Sequence, residues 1–284
     1  MTLRVGIQMY SVRDELAADP IATIRAVIAM GYQNLEFANL TTTDPGVGFA
    51  ADPSELREVI EADGGTVLST HLQQIDPERI DDVIAFHREL GTKYLVSKLL
   101  YRNLDDIDDI ARNINRLGEK MADVGIQQLV HTSLFRSHGD RTDLDELLTR
   151  LAPEYRNLEL DTYWVHRSGL DVVQIIERYG EWIRVLHQKD LPFSIRQPVN
   201  IIAALPADAP LVSETYYQDE RYVSPDNFTE IGAGILPLQQ TIDAAIEHTD
   251  ANYILVEQDW SSQSGLKSVE QSIAALLRTN GVTL

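Results

Sequence analysis

Residues 158–164 read LELDTYW, and the reading of this stretch decides the fold. An extended chain alternates its side chains between two faces. Leu158 and Leu160 then share one face, and Glu159 and Asp161 the other. An unpaired buried charge is costly. Two carboxylates on one face of a buried strand therefore require either water or a positive partner.

The neighbouring sequence answers part of the question. Seven further short apolar or β-branched runs occur, and with 158–161 the strand set is 5–9, 34–37, 66–71, 94–98, 127–131, 158–161, 183–187 and 253–257. The stretches between them have helical period. DPIATIRAVIAMGY opens on Asp19 and Pro20 and closes at Gly31, an N-cap, first-turn proline and terminating glycine in the expected order. DPSELREVIEADGG repeats the pattern from Asp52 to Gly64. DDIDDIARNINRLGEKMADVG ends at Gly125, and VEQSIAALLRTNG forms a C-terminal helix. Strands alternating with helices imply a parallel sheet. Eight such units in 284 residues fit a closed (β/α)8 TIM barrel better than an open doubly wound sheet. GAGILP at Gly232 places Pro237 where a dinucleotide fingerprint needs glycine or alanine, so it reads as a plain loop. The expectation is one domain over 1–284 with a long loop insertion at about 191–236, over the face where barrel active sites sit.

Bulk properties narrow the function. A net charge of −20 argues against nucleic acid as the main partner. The absence of cysteine removes thiol catalysis, disulfides and thiolate-bound zinc, leaving any metal to oxygen and nitrogen donors. No apolar run approaches a membrane span and no leader pattern is visible, so the expected setting is cytoplasmic, with no membrane partner. Nothing in the chain decides between a monomer and a homo-oligomer.

In a parallel barrel the functional groups gather at the C-terminal ends of strands. Those ends carry Gln8 and Tyr10, Glu36, His71, Lys98, His131, Asp161, His187 with Lys189, and Glu257 with Asp259. Asp161, His187 and Glu257 come from three successive strands. Two carboxylates and an imidazole suit Mn²⁺, Mg²⁺, Co²⁺ or Zn²⁺. Each also has a plainer reading: a lone strand-end histidine is more often a hydrogen-bonded structural residue, and a lone aspartate there more often caps the next helix.

These segments also resemble the sugar phosphate isomerase/epimerase family of xylose isomerase-like TIM barrels over nearly the whole chain. The similarity lies in GIQMYSVRDEL at Gly6, GYQNLEFA at Gly31, STHL at Ser69, LELDTYWVHRSGLD, VLHQKDL, FTEIGAGILP and YILVEQDW. The resemblance implies one divalent metal held by a fifth-strand Glu followed by Asp, His and Glu. Asp161, His187 and Glu257 match the last three. It implies a sugar or polyol substrate, with the carboxylates moving a proton at the carbon beside a carbonyl through an enediolate; where one of that pair is absent, a one-base course remains, Glu257 taking the proton and His131 or His71 returning it. Lys189 would stabilise the oxyanion, Glu36 and His71 would contact the substrate, and Tyr10 and Trp164 would stack on its apolar face. The fifth strand departs from the family's H-N-H-x-x-E: in LVHTSLFRSHGD the expected Glu falls at Leu134 or Arg136, neither of them a ligand. The leading expectation is an isomerase or epimerase. A keto-sugar or keto-inositol dehydratase, and a metal-free sugar-binding member, are the alternatives.

Overall fold

The barrel's helices begin where local chemistry satisfies their first backbone donors. The computed structural model describes residues 2–39, 44–72 and 77–284. Helix α1 (Pro20–Ala29) starts with Asp19 accepting from the Ala22 amide, and α2 (Pro53–Ala62) with Asp52 accepting from Glu55. Six more follow in order: α3 (Ile80–Leu90), α4 (Asp106–Ala122), α5 (Asp143–Arg150), α6 (Val172–Tyr179), α7 (Leu238–His248) and α8 (Gly265–Leu276). Among the described residues no helix is long and apolar enough to cross a membrane.

Eight parallel strands alternate with these helices: β1 (Leu3–Gln8), β2 (Asn34–Ala38), β3 (Thr66–His71), β4 (Tyr94–Lys98), β5 (Gln127–His131), β6 (Leu158–Asp161), β7 (Ile183–Gln188) and β8 (Tyr253–Val256). Each pairs with the next, and β8 closes onto β1 from Arg4↔Tyr253 to Ile7↔Val256. This is the closed (β/α)8 barrel that the strand count implies. Four strands (β3 to β6) have the bounds read from the sequence, and the other four differ by one or two residues. Met9 opens a short 3₁₀ turn instead of ending β1, and Glu257 lies just past β8, its amide still donating to the Gln188 carbonyl.

Leu158 and Leu160 pack outward into the main apolar cluster, while Glu159 and Asp161 are fully buried on the other face. Beneath them Leu68, Tyr94, Val96, Leu129, Val185, Tyr253 and Leu255 form a separate apolar plug. The polar strand-end groups therefore rest on a dry floor, which strengthens their mutual electrostatics.

One buried histidine outside the cavity lining makes the fold acid-sensitive. His87 on α3 is fully buried, its Nδ1 2.9 Å from Thr92 Oγ1. Burial pushes its pKa down to about 4. The folded chain thus keeps His87 neutral where the unfolded chain, near 6.5, takes up a proton. The stabilisation is complete above pH 6.5 and is lost as pH falls toward 4, by roughly 3 kcal/mol. Urea melts of wild type and His87→Gln at pH 7.5 and 4.5 check this. The variant should lose less stability between the two, and equal losses would show that His87 does not carry the effect.

Candidate active site

Strand ends converge on a cavity of about 350 Å³ at the C-terminal mouth. Of the residues anticipated from sequence, Tyr10, His71, His131, Trp164 and Glu257 line it. Glu36, Asp161, His187 and Lys189 lie buried outside that lining, within contact distance of the groups that form it. Gln8, Lys98 and Asp259, strand-end residues also read from the sequence, reach the cavity too, as do Ser133 and, from the 191–236 segment, Ser213, Tyr216, Tyr217 and Gln218.

Glu36 is an organiser. Its Oε1 receives Gln8 Nε2 at 2.7 Å and its Oε2 receives Ser69 Oγ at 2.5 Å. Oε1 also lies 3.1 Å from His71 Nε2 and 2.7 Å from His187 Nε2. Glu159, the residue that raised the opening question, places Oε2 2.7 Å from His71 Nε2 and Oε1 3.3 Å from His187 Nε2. Two buried carboxylates thus face two imidazoles, whose rings stack at 5.3 Å. Burial opposes charge on His71, but Glu36 and Glu159 outweigh it and lift its pKa to about 9. Burial likewise opposes charge on His187, and Glu159, Glu36 and Glu257 lift it well above the usual imidazole range. The positive partners demanded by LELD are these two histidines for Glu159 and Lys189 for Asp161.

Asp161 serves two purposes through its two oxygens. Oδ1 accepts from the Trp164 amide at 3.0 Å and caps the short helix Thr162–Arg167, which is the plainer role foreseen for it. Oδ2 accepts from Lys189 Nζ at 2.5 Å. The same ammonium donates to Glu257 Oε2, which also lies 2.7 Å from His187 Nδ1. Against the upward push of burial, Lys189 and His187 hold the Glu257 carboxyl well below the usual carboxylate range. His131 contrasts with its neighbours. Burial pushes it down to about 3, so it is neutral, and neither ring nitrogen makes a hydrogen bond among the described residues. Its Nε2 stands 3.5 Å from Asp161 Oδ2.

Two buried sets could take a metal ion: His131, Asp161, His187 and Glu257, and His71, His131, Glu159 and His187, the donor atoms of each lying within 4.8 Å of one another. The unpartnered His131 nitrogens, together with carboxylate oxygens, are donors that a divalent cation accepts, and the residues present fit such a group once His187 gives up its proton. The fifth strand contributes differently from the family pattern. Leu134 is buried in the outer apolar cluster, and the Arg136 guanidinium donates to the Ala209 carbonyl. His131 and Ser133 are the residues that meet the cavity from that segment.

The 191–236 segment is the site's other wall, and it is built rather than loose. It carries short helices at Ile201–Ala204 and Ser213–Tyr216 and a 3₁₀ turn at Pro225–Asn227. Asp190 fastens both of its ends: Oδ1 accepts from the Leu191 and Leu236 amides and Oδ2 from those of Gly232 and Gly234, at 2.9 to 3.1 Å. The buried Arg167 guanidinium ties its middle, donating to the carbonyls of Pro198, Val199 and Tyr222. Over the cavity Trp164 meets Tyr216 at 5.5 Å, and Tyr217 stacks on Trp260 at 4.8 Å.

Among solved structures, a sugar phosphate isomerase/epimerase from Parabacteroides distasonis ATCC 8503 superposes with a TM-score of 0.73 at 20% identity, over 100% of this chain and 96% of its own. The IOLI protein with a bound zinc atom gives a TM-score of 0.66 at 12% identity, over 97% of this chain and 96% of its own. The chain has the xylose isomerase-like TIM-barrel fold that sugar phosphate isomerase/epimerase structures share. Inosose dehydratase of Lacticaseibacillus casei is 30% identical over 87 residues, which is 31% of this chain and 29% of that protein. The match therefore spans less than a third of this curated relative. No family model matches the chain.

Proposed function

We propose that this protein is an enzyme that removes a proton from a carbon beside a carbonyl of a sugar or cyclic polyol, and that it uses this step for isomerisation or epimerisation. One observation carries the reading: Glu257 lines a cavity at the barrel mouth while its carboxylate oxygen is fixed by His187 and Lys189. Similarity in fold to sugar phosphate isomerase/epimerases supports the substrate class. The cavity lies at the small end of the range for ligand sites, as a single sugar or cyclitol ring requires.

Glu257 is ionised at neutral pH and so is ready to accept the proton. A carboxylate held so far toward its charged form is a weak base, so the enolate must be stabilised as it forms. A divalent cation held by His131, Asp161, His187 and Glu257, of the kind the IOLI protein carries as zinc, would supply Lewis acidity at the substrate oxygen. His71, protonated through Glu36 and Glu159, donates to a substrate hydroxyl. Tyr10 and Trp164 offer ring faces to the sugar's carbon side. His71, the protonated imidazole of the lining, would return the proton to the enolate.

A dehydratase is the second reading, and one observation favours it. Both carboxylates that line the cavity, Glu257 and Asp259, come from the end of β8. The fifth-strand side offers His131 and Ser133 instead, so among the described residues no carboxylate of the lining faces that pair. One base with one acid is enough to eliminate a β-hydroxyl, and the 87-residue match is to an inosose dehydratase.

Incubation with a panel of ketoses, aldoses and inososes in D₂O, with Mn²⁺ or Zn²⁺ added, separates the readings. Deuterium gained with the carbon skeleton and oxygens intact supports isomerisation or epimerisation, and loss of water supports dehydration. A sugar that binds yet shows neither exchange nor water loss would overturn both in favour of a binding protein.

A further inference from the structure

We infer that the Lys189 ammonium and a divalent cation compete for one place between Asp161 and Glu257, Lys189 serving as the chain's own cation when no metal is bound. The inference rests on the metal site of the proposed function but not on its reaction. Lys189 Nζ lies 2.5 Å from Asp161 Oδ2 and donates to Glu257 Oε2, with His187 Nδ1 2.7 Å from that same oxygen. Three of the four donors in the mouth-side metal set therefore surround one ammonium or touch an oxygen that it already binds.

A metal ion binds carboxylate oxygen at about 2.0–2.2 Å. An ion reaching both Oδ2 and Oε2 would fall in the gap that the ammonium fills, so the two occupants exclude each other. The electrostatics agree. Lys189 is 1% exposed, and two buried carboxylates beside it need a cation at all times. Its four-carbon stem lets it move, and Asp259, a further carboxylate in its field and a residue of the cavity lining, is the acceptor at hand. Metal entry would then move Nζ from the floor toward the cavity, where a substrate oxygen can meet it. The chain should hold its metal loosely, because each binding event displaces an ion pair.

Calorimetric titration of the apo protein with Mn²⁺ tests this in wild type and Lys189→Met. The variant leaves Asp161 and Glu257 without their cation, so it should bind Mn²⁺ on the order of a hundredfold more tightly. Equal or weaker affinity would overturn the competition while leaving the metal reading standing. Binding in neither protein would overturn both. If Lys189→Met does not fold without metal, a crystal structure of Mn²⁺-loaded wild type decides instead. Nζ moved out of hydrogen-bond reach of Asp161 supports the inference, and Nζ still bridging Asp161 and Glu257 beside a bound ion overturns it.

Discussion

Glu257→Gln is expected to reduce solvent-deuterium exchange into the substrate by about a thousandfold or more, the upper part of the range for loss of a general base. Glutamine keeps the shape of the side chain and one acceptor oxygen but cannot take the proton. The substitution is informative because of what surrounds the carboxylate. His187 Nδ1 at 2.7 Å and Lys189 fix Oε2, so the base is already oriented before substrate arrives. Substrate affinity, read separately by calorimetry, should change far less than exchange, because Tyr10, His71, Trp164 and the 216–218 wall remain in place. Exchange within tenfold of wild type would show that another group takes the proton. His131 would be that group, since its ring nitrogens are neutral and unpartnered among the described residues. His131→Gln measured beside Glu257→Gln distinguishes the two: loss only in the histidine variant would reverse the assignment.

The barrel and its mouth were legible because strand ends carry a signal that stability alone does not require. LELD shows it most plainly: alternation sends Leu158 and Leu160 outward, and the charges left inside must meet partners. Which partners they meet was not legible. Glu159 reaches His71 and His187 only because the sheet closes, and the alternation of a single strand carries no information about that closure. Glu36 was expected to contact substrate. In the structure it is buried outside the cavity lining, fixed by Gln8 and Ser69 and facing the two histidines. In LVHTSLFRSHGD, His138 forms a two-residue hairpin with Arg141 and pairs with Asp143 at the start of α5, so this histidine serves the turn and not the mouth. GAGILP reads as a plain loop because its spacing fits no nucleotide fingerprint. Its glycines answer to a carboxylate in place of a phosphate: Gly232 adopts φ +84°, and at Gly234 a Cβ would collide with Asp190 Oδ1 and the Leu191 carbonyl. A sequence motif shows that backbone amides are free to point at an anion but not which anion comes.

That anion gives the largest expected effect on stability. Asp190→Ala should release the 191–236 wall from the barrel and lower stability by about 4 kcal/mol, the sum of several charge-assisted hydrogen bonds less the relief of burying one charge fewer. The discount matters, because burial pushes the Asp190 carboxyl up against the pull of four backbone amides. What alanine leaves behind is worse than what it removes: the amides of Leu191, Gly232, Gly234 and Leu236 lose their shared acceptor, and water cannot easily replace it at a buried position. The melting temperature should fall by about 10 °C if barrel and wall unfold together. If the wall opens by itself, limited proteolysis should cut first within 191–236 while the barrel fragments stay folded. Either way the functional consequence has a direction. Ser213, Tyr216, Tyr217 and Gln218 reach the cavity only while this segment is pinned, so KM should rise more than kcat falls. Arg167→Met, which cuts the ties to Pro198, Val199 and Tyr222 in the middle of the same segment, should shift KM in the same direction with the Asp190 contacts intact. A variant at Asp190 that melts within 1 °C of wild type, resists cleavage and keeps its KM would mean that Arg167 and the aromatic contacts hold the wall without it.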